Sequence, residues 1–321
     1  MPRTTAPGRP TAPGPRRFLV PLLSTALVAL LAGTWLLSGA LVAGTDPLLV
    51  AAGRSGVCCA VLAAFAAARP TARAQMRRLL ARPGEMTYLA LLGFALYAAC
   101  TLLAIGRVGT SLTNTVVALM PCAALAVGAL CHGERAGPRR TLGACLATLA
   151  TAAYALSGSS GGQPGRTDLV GVLLAVAAVL GFAVYGFRYR ARLPGVEPLA
   201  ALPVLLGAAT ALLLPLALAA PGATAAQWAG IAVLGGAVYA PAYLLQHRLI
   251  LLRGPVFTAS VQLAVPFSVR IGSWATGASG PPSALELGLL ACALAGIGLV
   301  TTTTGTGAAA KPRTMDRLRG E

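Results

Sequence analysis

Ten apolar runs, each long enough to cross a hydrocarbon layer, follow one another along this chain. They cover 18–43, 47–68, 86–105, 111–132, 141–158, 168–187, 198–219, 225–246, 255–277 and 283–304. A helix needs about 20 apolar residues to span that layer, and a spanning helix satisfies its backbone polar groups within itself. The expected fold is therefore all-α: a polytopic membrane protein with ten transmembrane helices. Several runs end at turn-forming clusters such as "GTDP", "ARPGE" and "GASGPPS". The chain is 56% hydrophobic and 10% charged, far below the ~25% charge of soluble domains.

The net charge of +17 does not point to nucleic acid, because it is not gathered on one soluble domain. It falls before span 1 and in the segments 69–82, 135–140, 188–192, 248–253 and 311–319, whereas the alternate loops hold only Arg107 and Arg166. The positive-inside rule places those clusters, and both termini, in the cytoplasm. Lys311 is the sole lysine, a bias that reflects a GC-rich gene and says little about function; the expected location is the cell membrane of a bacterium. The run from Phe18 to Ala43 far exceeds the ~7–15 residues of a signal-peptide core and is expected as an uncleaved first helix. Cys58, Cys59, Cys100, Cys122, Cys131, Cys145 and Cys292 are odd in number and form no CxxC. They are expected as buried free thiols, with no metal and no cofactor.

The chain resembles itself. At an offset of 145, Gly109 falls on Gly254, Thr113 on Thr258, Val116 on Val261, Pro121 on Pro266 and Gly143 on Gly288. With a three-residue gap, "LGFALY" (92–97) falls on "LGGAVY" (234–239). Five spans per copy is odd, so the second copy enters the bilayer inverted, an arrangement typical of alternating-access carriers. The expected organisation is a tail (1–17), a first five-helix repeat (18–158), an external linker (159–167), a second repeat (168–304) and a tail (305–321).

The stretch "TNTVVALMPCAALAVGALCHGE" (113–134), followed by a short basic loop and a helix containing Gly143, resembles the EamA module of the drug/metabolite transporter superfamily. The second copy keeps Pro266 and Gly288 but has Ala278-Ser279 in place of the Gly-Glu pair. Arg54, seven residues past Pro47, resembles the family's second-helix arginine. "GFAVYGFRYR" (181–190) resembles its sixth-helix ending, with Phe182 in place of the usual tryptophan. The resemblance implies a ten-helix basket with spans 1–4 and 6–9 around a cavity. It also implies a cargo of amino acids, related metabolites or drugs, usually exported. An uptake permease of the same superfamily, or a non-transporting sensor or assembly partner, is the alternative. The expected partners are a small-molecule substrate and the lipid bilayer, with no nucleic acid, and the chain is expected as a monomer or homodimer.

Arg54 and Arg270 are the charges well inside spans. A charge there costs at least ~2.5–3.5 kcal/mol, and each lies seven residues, about 10 Å, from the outer end of its span. Either is a candidate for an anionic substrate group, with an Arg270–Glu286 pair as the structural alternative for the second. Asn114, Thr115 and Gln262 are polar candidates for a ligand or a neighbouring helix. Trp35, Tyr97, Tyr185 and Tyr239 are the rings with a claim to the cavity. Pro121 and Pro266 are expected to break helices, and Glu134 to latch spans 4 and 5 through nearby arginines. His132 and His247 fall at span ends on the basic side with no acid close in sequence, so no intramembrane catalytic constellation is expected.

Overall fold

The computed structural model describes residues 16–42, 44–133, 137–157, 168–275, 277 and 280–302, and among these every regular element is helical. In chain order they are α1 (Arg16–Val42), α2 (Pro47–Ala67), α3 (Pro70–Leu80), α4 (Pro83–Ala90), α5 (Leu96–Val117), α6 (Met120–His132), α7 (Pro138–Leu156), α8 (Leu169–Arg192), α9 (Pro198–Leu218), α10 (Ala225–Val233), α11 (Ala240–Arg253), α12 (Pro255–Gln262), α13 (Val265–Ala275) and α14 (Ala284–Thr302). Two π-helical turns, Leu91–Ala95 and Leu234–Tyr239, join α4 to α5 and α10 to α11.

Among the described residues, six helices are long and apolar enough to cross a membrane: Leu19–Val42, Pro47–Ala67, Pro83–Ala104, Leu169–Arg192, Pro198–Leu218 and Ala225–Arg253. The chain is therefore a multi-pass helical membrane protein. The difference from ten apolar runs has a local cause in two of them. Two-residue turns at 118–119 and 263–264 interrupt the runs 111–132 and 255–277, leaving pieces too short to count alone. Each turn sits just before a proline, Pro121 or Pro266, which is the second residue of the helix that follows. A proline is tolerated there because the first-turn amide has no intrahelical partner.

Large apolar side chains face outward, among them Leu130 (85% exposed), Leu218 (76%) and Phe65 (61%), as they do when lipid is the solvent. The basic segment 69–82 is not a loop: most of it forms α3, which buries Ala72 and Leu79 and leaves Arg73, Arg77 and Arg78 exposed.

Neighbouring helices define two ends. Cys59 on α2 meets Pro203 on α9, and Gly56 faces Thr210, so the two helices are antiparallel. Gly53 faces Trp228 and Gly236 faces Val61, so α10 and its continuation run parallel to α2. One end of the bundle carries Asp46, which caps α2 by accepting from the Leu48 and Leu49 amides, and Asp168, which caps α8. The Arg107 guanidinium, 2.9 Å from Asp168, holds that exposed carboxyl below its usual range, with the Val170 amide acting in the same sense. The other end carries Arg82, Arg192 and Arg253. The chain meets α8 in both senses. Gly93 to Val108 runs along Tyr185 to Gly171, whereas Gly128 lies back at Phe187. It therefore turns back between Val108 and Gly128.

Small residues set the closest approaches. A Cβ on Gly143 of α7 would lie 2.6 Å from the Gly296 carbonyl oxygen of α14, and one on Gly296 would lie 2.6 Å from the Ala147 amide nitrogen. Such backbone-to-backbone contact is how helices associate where no hydrophobic driving force separates them from lipid.

Candidate functional site

Arg54 lies on the third helical turn of α2, seven residues past the Pro47 start. It is held in place by what the π-turn Leu234–Tyr239 permits. Gly235 in that turn has no side chain, so the turn packs directly on the Arg54 backbone; a Cβ there would lie 2.6 Å from the Arg54 carbonyl oxygen. The turn also swings Tyr239 onto the arginine. Arg54 Nη1 donates to the Tyr239 hydroxyl, and the guanidinium carbon lies 4.4 Å from the Tyr239 ring centroid. The Tyr97 and Tyr243 phenols lie within electrostatic reach of the same guanidinium, and Tyr97 in turn packs on Phe182 with centroids 5.2 Å apart.

The energetics account for a half-buried cation in an apolar bundle. A desolvated cation–π contact contributes about 2 kcal/mol, and a hydrogen bond to a charged group ~1.5–3 kcal/mol. Together these are of the size of the ~2.5–3.5 kcal/mol insertion cost. Among the described residues no carboxylate pairs with Arg54. The layer keeps a net positive charge, and one of the five guanidinium donors is used by Tyr239.

The two arginines differ. Arg270 on α13 donates through Nε to Glu286 at 2.8 Å, and through Nη1 and Nη2 to the Gly280 and Pro281 carbonyls at 2.9 and 3.3 Å. Glu286 also accepts from the Ser283 amide. This is a neutral bracket that clamps the α13–α14 connection.

The other expected residues are distributed as follows. Tyr185 is fully buried and meets His247 in place of Arg54. Trp35 is half-buried on α1. Gln262 ends α12 and, with Met120, Ala124, Gly186 and Thr258, lines a cleft with about 10 Å³ of room for water centres. Its amide nitrogen is buried without a partner among the described residues. The Asn114 and Thr115 side chains and all of Glu134 lie outside the described residues.

His247 requires a correction. It is not at a span end, because α11 runs on to Arg253 and buries it completely. Around it stand Phe94, Tyr185, Tyr189 and Tyr243. The sequence carries a sign of this cluster: Tyr239, Tyr243 and His247 recur every four residues, as do Tyr185 and Tyr189, which puts each set on one helix face.

These features define a multi-pass helical membrane protein that holds a cation in an aromatic layer inside its bundle. Residues 20–156 match the EamA-like transporter family, which belongs to the drug/metabolite transporter superfamily. No curated protein matches the chain. A solved crystal structure shares the fold with a TM-score of 0.72 at 19% identity, covering 88% of this chain and 98% of its own.

Proposed function

We propose that this protein is a membrane carrier of small organic solutes bearing an anionic group, with Arg54 as the anion-binding residue and Tyr97 and Tyr239 beside it. The observation that carries this reading is a cation about 10 Å into a span, held by phenols and paired with no described carboxylate. Arg270, already neutralised by Glu286, acts as a structural bracket.

The carrier consists of ten spans in two inverted five-helix halves, 18–158 and 168–304, and works by alternating access. Several equivalences support this. The π-turn at Leu91–Ala95 overlaps the position that the internal repeat assigns to the π-turn at Leu234–Tyr239. The turns at 118–119 and 263–264 differ by the repeat offset of 145. Both termini face the cytoplasm, on the side of the arginine clusters. Export of amino acids, related metabolites or drugs follows the resemblance to the family. Reporter fusions after residues 45, 160 and 280 are expected to report outside, and those after 75, 136 and 321 inside. A reversal at any of them breaks the inverted arrangement.

The decisive experiment is a flux screen in proteoliposomes with radiolabelled amino acids and small carboxylates. Arg54→Ala is expected to lower the flux of the transported solute at least tenfold while the protein stays monodisperse. A folded Arg54→Ala carrier with unchanged flux removes Arg54 from the site.

A further inference from the structure

The bundle buries a second titratable group, beyond the Arg54 layer. His247 lies on α11 eight residues past Tyr239, the last residue of the preceding π-turn, about 12 Å nearer the arginine end, and is fully buried. Both ring nitrogens are occupied. Nδ1 lies 2.7 Å from the Tyr243 carbonyl oxygen, which only accepts, so Nδ1 carries the proton. Nε2 is then the lone-pair nitrogen, and it accepts from the Tyr185 hydroxyl 2.6 Å away. Phe94 stacks on the imidazole at 5.8 Å and 8°, and Tyr189 meets it edge-on at 4.9 Å.

The same cluster joins the helices that close the arginine end. A Cβ on Gly93 would lie 2.5 Å from the Tyr185 ring, so α8 is seated directly on the first π-turn. Gly186 brings α8 against Pro255, where the cleft between α6, α8 and α12 narrows to room for about one water. Within this closure the Tyr185–His247 bond is the polar link between α8 and α11 that involves a titratable base.

The groups facing His247 are these. α8 supplies Tyr185 and Tyr189, α11 supplies Tyr243, and the first π-turn supplies Phe94. α2 supplies Arg54 and Cys58, which reach Tyr243. α1 and α12 meet α11 through Leu27 and Phe257, and α9 through aliphatic side chains. No carboxylate faces the imidazole among the described residues.

We infer that His247 is a proton-binding site whose occupancy opens the bundle at the arginine end. This rests on the carrier reading above, which requires that end to open. A proton from water adds to Nε2 and forms an N–H bond; Tyr185 keeps its own proton, and Nε2 ceases to accept it. The resulting imidazolium has no counter-ion in the closed cage, and a buried unpaired charge is costly. Water solvates it once α8 and α11 part. Proton uptake and opening are therefore linked: the closed form is favoured where imidazole is neutral, and loses that advantage as pH falls through the ordinary imidazole range near ~6.5.

The test needs no solute. In the full chain with its cysteines replaced, spin labels at Arg188→Cys on α8 and Arg248→Cys on α11, both exposed, report the separation in lipid nanodiscs by pulsed electron resonance. The ratio of the longer to the shorter distance is expected to rise about tenfold from pH 7.5 to 5.5. His247→Gln accepts from Tyr185 through its amide oxygen but does not titrate, so its ratio stays flat. Tyr185→Phe removes the bond and raises the longer population already at pH 7.5. A pH-independent ratio in the parent chain, or the same profile in His247→Gln, overturns the proposal. Nitrogen-15 histidine spectra of the native chain supply a second readout if a variant does not assemble: His247 still neutral at pH 5.5 while the bundle opens overturns it equally. A chain that transports in the flux screen without responding to pH refutes the proton site and leaves the Arg54 reading standing.

Discussion

Gly143→Leu is expected to destabilise the protein strongly by forcing the α7–α14 pair apart. The Cβ alone would sit 2.6 Å from the Gly296 carbonyl oxygen, 2.7 Å from the Leu299 Cβ and 3.0 Å from the Val300 amide nitrogen. Two of those three atoms are backbone and belong to a helix, so no rotamer change relieves the overlap. The helices must separate along a seam that also holds Ala147, Ala150 and Ala293, all buried. Overpacking typically costs ~1–3 kcal/mol, and a backbone clash continued by a leucine side chain belongs at or above the top of that range. The measurement is thermal unfolding in detergent together with monodispersity after heating. The control is Gly288→Leu. Gly288 matches Gly143 at the repeat offset, yet nothing lies within 4 Å of its added Cβ, and it is exposed. It is expected to leave stability within about 0.5 kcal/mol of the parent. Equal losses at the two positions refute the close-packed seam.

That contrast shows what a sequence repeat conveys here. Similar residues at an offset of 145 identify the same place on two helices, but whether a glycine is necessary there depends on which face of each helix the other packs against. Gly143 is confined by Gly296, a residue the offset does not relate to it. Apolar runs, arginine clusters and the prolines after the helix breaks were legible because length, charge and ring geometry act locally. The π-turns were not: one extra residue in the hydrogen-bond register leaves no mark on composition, although "LGFALY" and "LGGAVY" flagged both places by likeness. The arginines of 69–82 obscure a helical pattern in which Ala72, Met76 and Leu79 recur at helical spacing and seat α3 against the bundle. At the candidate site, Arg54, Tyr97 and Tyr239 were each visible as unusual residues in apolar runs. His247 falls one residue past the apolar run 225–246, and Tyr243 within that run carries no mark of its own beyond its spacing from Tyr239. The four-residue stripe of Tyr239, Tyr243 and His247 is the signal that joins them on one helix face.

Gly235→Ala should impair transport far more than its neighbour Gly236→Ala, although both sit in one π-turn and differ from the parent by one methyl group each. At Gly235 the Cβ would meet the Arg54 carbonyl oxygen at 2.6 Å, the Val57 Cβ at 2.9 Å and the Arg54 Cα at 3.2 Å. At Gly236 the nearest atoms are Val61 Cγ2 at 3.5 Å and Val57 Cγ1 at 3.7 Å, an ordinary contact. Restoring normal separation at Gly235 requires α2 to retreat from the turn by about 0.8 Å, the step from 2.6 Å to the 3.4 Å of an unstrained contact. The movement is applied at Arg54 itself, so it pulls the guanidinium from the Tyr239 ring and hydroxyl that hold it. Misplacement of a binding group by about 1 Å costs on the order of 100-fold where geometry matters, and a loss of at least about tenfold in flux is expected. Stability should fall less, because α2 keeps its long contact with α9 through Cys59, Gly207 and Thr210. Flux of the transported solute in proteoliposomes, measured beside the unfolding midpoint, separates the two effects. Equal flux in the two alanine variants would mean that the close approach of the π-turn to α2 does not position Arg54 for its ligand.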